Sequence, residues 1–236
     1  MQQKELDSLI AAHEAWFKDR AVGTRLELRD IGLQGLDLTG RRLIGARFQG
    51  VDLTEAKLIG TELDRSELVR VTFRNAEMMK VMLSDATLQE VNFTGANLFE
   101  SQLDGIHAAE CIFDDTVMHR AFLVKATLDR CRMRRASLVA ADFKRVYMRQ
   151  CSLEGANLEN ANFANALLVD VDLREARISG SIFTNTRMGP LRIHGLTGIP
   201  AKVENCGLEA ADLSQDGDGS MISEISDARK LLQMGR

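Results

Sequence analysis

Proline occurs only twice, at Pro190 and Pro200, both near the C-terminal end, and tryptophan and tyrosine occur once each. No apolar run approaches the length of a membrane span, and the first residues lack a basic-then-apolar leader, so the reading is a cytoplasmic protein with no membrane partner. The four histidines, His13, His107, His119 and His194, are scattered, and no Ser-His-Asp, Cys-His or metal-ligand spacing accompanies them. That leaves nothing to build a catalytic centre on, and the expectation is a non-enzymatic chain with no cofactor and no metal. Net charge is −4, ordinary for its size, which excludes a strongly one-signed molecule.

What the chain has instead is an unbroken internal repeat. From Leu28 to Ile193 every fifth position, thirty-four in succession, holds Leu, Phe, Met or Ile, with Ala108 the one exception. Two residues before each of these runs a second column, from Leu26 to Leu191, of Ala, Val, Ser, Thr or Cys. Its exceptions are Leu26, Ile31, Leu36, Arg41, Ile106 and Leu191. Two columns of five therefore face inward and three face outward. Neither a helical period of 3.6 nor a strict alternation of two gives this pattern, whereas a short strand that turns a corner every five residues does.

The number of sides in a coil is legible too. Phe73, Phe93 and Phe113 are twenty apart, as are Phe143, Phe163 and Phe183, and so are Cys111, Cys131 and Cys151 in the small column. Four sides of five residues stack each set vertically. At roughly 4.8 Å per coil the rod is on the order of 40 Å long. Cys206 falls in the same small column as the other three cysteines, so all four are expected as buried, reduced thiols.

Segments such as Ala96-Asn97-Leu98, Ala141-Asp142-Phe143, Ala156-Asn157-Leu158, Ala161-Asn162-Phe163 and Ala211-Asp212-Leu213 resemble the repeating unit of pentapeptide-repeat proteins. The resemblance implies an all-β solenoid, a right-handed quadrilateral β-helix, over residues 25–215. Arg132, Tyr147 and Met82 depart from the Asp or Asn of that unit at a position that points outward.

Short helical caps are expected at both ends, since an open solenoid must shield its terminal edges. Leu6, Leu9, Ile10, His13, Trp16 and Phe17 lie at helical spacing within residues 1–24, an amphipathic helix to cover the first coil. Ile222, Ile225, Ala228, Leu231 and Leu232 predict a second helix within 216–236. As in some relatives, the resemblance implies a homodimer through that C-terminal segment. Residues 214–225 imitate the start of a calcium loop, but Ser214 replaces its first aspartate and Ile225 its bidentate glutamate, and a Gly-rich turn explains them.

Charge is uneven along the rod. Residues 85–119 carry seven acids and no Lys or Arg, and residues 120–149 carry nine bases against Asp129 and Asp142. Stacking by twenty, however, sets Glu100 against Arg120, Glu110 against Arg130, Asp115 against Arg135, Asp129 against Arg149, and Arg134 between Asp114 and Glu154. What survives is Lys125, Lys144 and Arg145 at one corner, and Arg132 on another side. These four are the candidate partner-binding residues.

The function expected is therefore a protein–protein interaction scaffold. The resemblance implies, for such proteins with a leading amphipathic helix, an adaptor or effector-accessory role in a bacterial type VI secretion system. A second reading is a DNA mimic that occupies DNA gyrase or another topoisomerase, as quinolone-resistance members of the family do. Mimicry needs an acidic surface, and from Arg25 to Leu213 there are 26 acids against 24 bases. Direct nucleic-acid binding is disfavoured because the bases are mostly paired along the rod.

Overall fold

The computed structural model describes residues 1–209, 211–212 and 221–222. One helix, α1 (Gln3–Lys18), leads into a stack of four-sided coils. Taking residues 26–30 as the first side, 31–35 as the second, 36–40 as the third and 41–45 as the fourth, every later side lies over the one twenty residues before it. On the first side Glu27–Arg29 pairs in parallel with Arg47–Gln49, with Leu28 opposite Phe48, and the register continues to Gly207–Leu208 as a ten-stranded sheet. The other sides carry the same ladder through single bridges such as Asp52 to Thr72, Lys57 to Glu77 and Glu62 to Met82.

Each side is extended just long enough to turn two alternate side chains inward, which is why the two columns lie two residues apart. Val51 and Leu53, for example, are both buried, with Asp52 between them on the surface. The fifth residue turns the corner in the left-handed region: Asn75 has φ 55°, Lys125 60° and Arg145 58°. On the second, third and fourth sides a turn bond closes the corner, as in Ala56 N–H to the Leu53 carbonyl at 3.1 Å. The cost of that conformation, about 1 kcal/mol or more for a side chain other than glycine, is offset by backbone bonds to coils on both sides.

Aromatic stacking fills the interior as the twenty-residue spacing predicts. Phe73, Phe93 and Phe113 stack on the second side with centroids 5.1 and 4.8 Å apart. Phe143, Phe163 and Phe183 stack on the opposite, fourth side at 4.8 and 5.2 Å. Each coil from 46–65 to 166–185 holds one Phe in its inward columns. The interior cross-section, fixed by the backbone, holds one ring per level.

The exceptions to the inward columns now have reasons. Ile106, large in the small column, stands two residues from Ala108, small in the large column, and both are buried, so the volume one lacks the other supplies. Leu26, Ile31, Leu36 and Arg41 are the four small-column positions of the first coil, where no coil lies beneath and α1 covers the end. Leu6, Ile10 and His13 of α1 are buried, while Leu9 and Phe17 stay partly exposed. Arg41 reaches Asp7 of α1 at 2.7 Å. The helix also satisfies the open backbone edge. The Gln3 side-chain amide both donates to the Asp37 carbonyl and accepts from the Asp37 N–H, each at 2.9 Å, and His13 Nδ1 accepts the Leu26 N–H at 2.9 Å.

At the other end Met221–Ile222 pairs antiparallel with Ala211–Asp212, itself laid in parallel on Leu191–Arg192. This corrects the helical assignment of Ile222: the chain reverses and adds a strand to the second side, and backbone pairing prevails over the helical spacing of the apolar residues. The rest of the predicted C-terminal helix, Ile225 to Leu232, and the calcium-like stretch apart from Met221 and Ile222 lie outside the described residues.

Candidate functional site on the fourth side

Because the inward columns are core, any site must use outward side chains. Many of those are paired by coil stacking. Arg120 meets Glu100 at 3.1 Å, Arg130 meets Glu110 at 2.7 Å, Arg135 meets Asp115 at 2.7 Å and Arg149 meets Asp129 at 2.6 Å. Hydrogen bonds from Arg135 and Arg149 hold the carboxyls of Asp115 and Asp129 below the usual range. Such exposed pairs are worth about 0 to 1 kcal/mol each and leave little charge for a partner.

Two of the four candidate residues belong with these pairs. Arg132 is not alone: its guanidinium gives the Asp114 carboxylate two hydrogen bonds, at 3.1 and 2.6 Å. Asp114, largely buried, also accepts the Arg134 N–H at 2.9 Å, and the Arg134 side chain turns to Glu154 at 3.4 Å instead of being shared. Lys144 pairs with Asp142 of its own side at 3.0 Å. Both partners escape a search by twenties, since side chains also lean sideways. The diagonal neighbour at eighteen residues, or the next outward residue two along, is the signal that finds them.

Lys125 and Arg145 remain. They occupy consecutive levels of the corner that ends the fourth side, and neither makes an ion pair within 4.0 Å among the described residues. Below Lys125 the column holds Gly105, which offers no charge. Asp104, on the same side one level below, accepts the Val124 N–H at 2.9 Å, and burial pushes its carboxyl up from the usual range.

The same side displays what periodicity alone did not single out. Phe122, in the outward middle column, is 44% exposed, and Val117 on the third side is 38% exposed. An open groove of about 540 Å³ runs from Gly60 and Met82 past Gln102 to Phe122, edged by Lys80, Glu100 and Arg120. Lys80 and Arg120 share the Glu100 carboxylate, at 3.8 and 3.1 Å. The signal for Phe122 was present: it is the one aromatic in a column of mostly polar residues.

Elsewhere the chemistry is sparse. His119 Nε2 hydrogen-bonds the Ser137 hydroxyl on the third side, a diagonal pair with no carboxylate bonded to the imidazole. Cys111, Cys131 and Cys151 are buried free thiols, and the Cys131 thiol is pushed up to about 12 through its hydrogen bond with Cys111. Cys206 is also free but only partly buried. Among the described residues no group of three or more His, Cys, Asp or Glu could hold a metal ion. No helix among them is long and apolar enough to cross a membrane.

Comparison with known proteins agrees with this geometry. The full-length structure of QnrB1, a plasmid-mediated fluoroquinolone resistance protein, superposes with a TM-score of 0.67 at 14% identity, covering 75% of this chain and 93% of QnrB1. HetL, a pentapeptide repeat protein involved in heterocyst differentiation regulation from the cyanobacterium Nostoc sp. strain PCC 7120, is 21% identical over 83% of this chain and 94% of HetL, with a TM-score of 0.37. No curated protein matches. The family model for pentapeptide repeats matches in eight copies, through residues 33–68, 60–95, 76–115, 96–135, 111–150 and 151–189. With coils of four five-residue sides, in register along that whole span, the chain belongs to the pentapeptide-repeat family.

Proposed function

We propose that this protein is a non-enzymatic scaffold that binds another protein through its outward side chains, with the Lys125 and Arg145 corner of the fourth side as the contact. The observation that carries the reading is the like-upon-like stack of Lys125 and Arg145 at this corner. Arg120, Arg130, Arg135 and Arg149 are each matched to an acid, whereas Lys125 and Arg145 stack like upon like without one, which costs stability until solvent or an anionic partner compensates. The polar, flat sides suit recognition more than chemistry. The type VI secretion setting rests on family resemblance alone.

A second reading, mimicry of DNA toward gyrase, draws on the likeness to QnrB1, which is described as a fluoroquinolone resistance protein. A mimic needs a continuous acidic face. From residue 26 to 212 no side departs from neutrality by more than two charges, and the fourth is net positive. That balance favours the scaffold.

Affinity capture of the tagged protein from its native lysate, with Lys125→Glu/Arg145→Glu in parallel, tests the reading. A protein partner recovered by the parent and lost by the variant supports it. Recovery of gyrase subunits by both makes mimicry the leading account.

A further inference from the structure

We infer that the fourth side around Phe122, Lys125 and Arg145 docks an acidic segment of a partner protein that carries an aromatic or long aliphatic side chain. The inference rests on the scaffold reading and adds the chemistry of the partner.

The apolar component comes from Phe122. In its outward column the other occupants include Arg42, Glu62, Gln102, Asp142 and Asn162, whose polar ends reach water at little cost. A ring 44% exposed on such a flat side gains by being covered. Beside it the groove toward Met82 offers room for one inserted side chain, with a flexible thioether as its far wall.

The charged component comes from both edges of the same side. On one edge Lys80 and Arg120, 66% and 67% exposed at the side chain, have the single Glu100 carboxylate between them. On the other, Lys125 and Arg145 have no acid within ion-pair distance among the described residues. Of the side's acids, Asp142 is engaged with Lys144 and Asp104 with a backbone N–H, while Asp85 lies two levels below Lys125 in the corner column. A segment crossing from one edge to the other meets cations at both ends and an aromatic ring midway. Acidic residues flanking an apolar one match that order. A nucleic-acid backbone fits less well, because its phosphates would also face Glu100 and Asp142, and it has no apolar group for Phe122.

The test is fluorescence anisotropy of a dye-labelled synthetic peptide of alternating glutamate and phenylalanine, titrated with the full chain. Saturable binding is expected, weakening with added salt. Phe122→Ala and Lys125→Glu/Arg145→Glu should each weaken it by about tenfold or more, while Lys57→Glu on the third side leaves it unchanged. The substituted side chains point outward, so unaltered circular dichroism will show that the rod is intact. A peptide with lysine for glutamate, or glycine for phenylalanine, should fail to bind. No binding, equal binding by all variants, or tighter binding of duplex DNA or phosphatidylserine vesicles would overturn the inference. A lysate partner captured equally by parent, Phe122→Ala and Lys125→Glu/Arg145→Glu would overturn it too, yet leave a protein-binding scaffold standing.

Discussion

Combining Ile106→Ala with Ala108→Leu should leave the protein almost as stable as before, although either change alone should damage it. Both side chains point inward on one side of the coil 106–125, and neither is more than 2% exposed. Ile106→Ala leaves a cavity in a closely packed interior and should cost about 2–5 kcal/mol. Ala108→Leu adds volume beside an isoleucine already filling that space and should cost about 1–3 kcal/mol. If the two sites were independent, the double variant would lose about 3–8 kcal/mol. Together, however, they restore the ordinary Ala-x-Leu order of the coil above, Ala126-Thr127-Leu128. The account therefore predicts a double variant within about 1 kcal/mol of the parent and a coupling of at least about 2 kcal/mol. Urea denaturation of the parent, both single variants and the double variant, followed by far-ultraviolet circular dichroism, measures all four corners of the cycle. Additivity within about 0.5 kcal/mol would refute volume compensation.

Leu83→Phe puts a second ring opposite Phe73 in one coil and should cost about 1–3 kcal/mol in the same assay, because the cross-section holds one ring per level. Asp114→Ala removes the acceptor of both the Arg132 side chain and the Arg134 N–H and should cost about 1–3 kcal/mol, whereas Glu110→Ala, at an exposed pair, should cost about 1 kcal/mol or less. The N-terminal cap should loosen in acid. His13 Nδ1 must be unprotonated to accept the Leu26 N–H, and burial, the largest cause, lowers its pKa from 6.5. Arg25 acts in the same direction, while Glu14 and the Ile44 carbonyl oppose it. The folded pKa lies below the unfolded one, so the stabilisation is present above about pH 6.5 and is lost as pH falls through the folded value. Fluorescence of Trp16, which stacks on His13 at 5.4 Å, should report the change, and His13→Phe should abolish it.

The fold was legible because nothing interrupts its period. Two apolar columns two residues apart can be buried together only by an extended side that turns every five residues. Once four sides are fixed by the spacing of Phe73, Phe93 and Phe113, the ion pairs Glu100 to Arg120 and Asp129 to Arg149 follow from the register. Stacking by twenty says nothing of lateral neighbours, and so the partners of Arg132 and Lys144 escaped it. Arg132 with Asp114 and His119 with Ser137 are eighteen apart, and Lys144 with Asp142 two apart. Long flexible side chains choose between vertical and diagonal partners by local geometry that a one-dimensional register does not encode. The cap was legible as an apolar stripe, but the part played by its polar atoms was not. Gln3 and His13 reach open backbone groups of the first coil, contacts set by how the helix docks.

The most direct test of the central claim, that the fourth side carries partner recognition, is hydroxyl-radical footprinting of the full chain alone and bound to the protein it captures from lysate. The account predicts that oxidation of Phe122 and Met82 falls on binding, while the partly exposed Phe17 and Leu167 at other surfaces keep their rates. Protection centred on Leu167 and Tyr147 of the first side, with Phe122 unchanged, would contradict it.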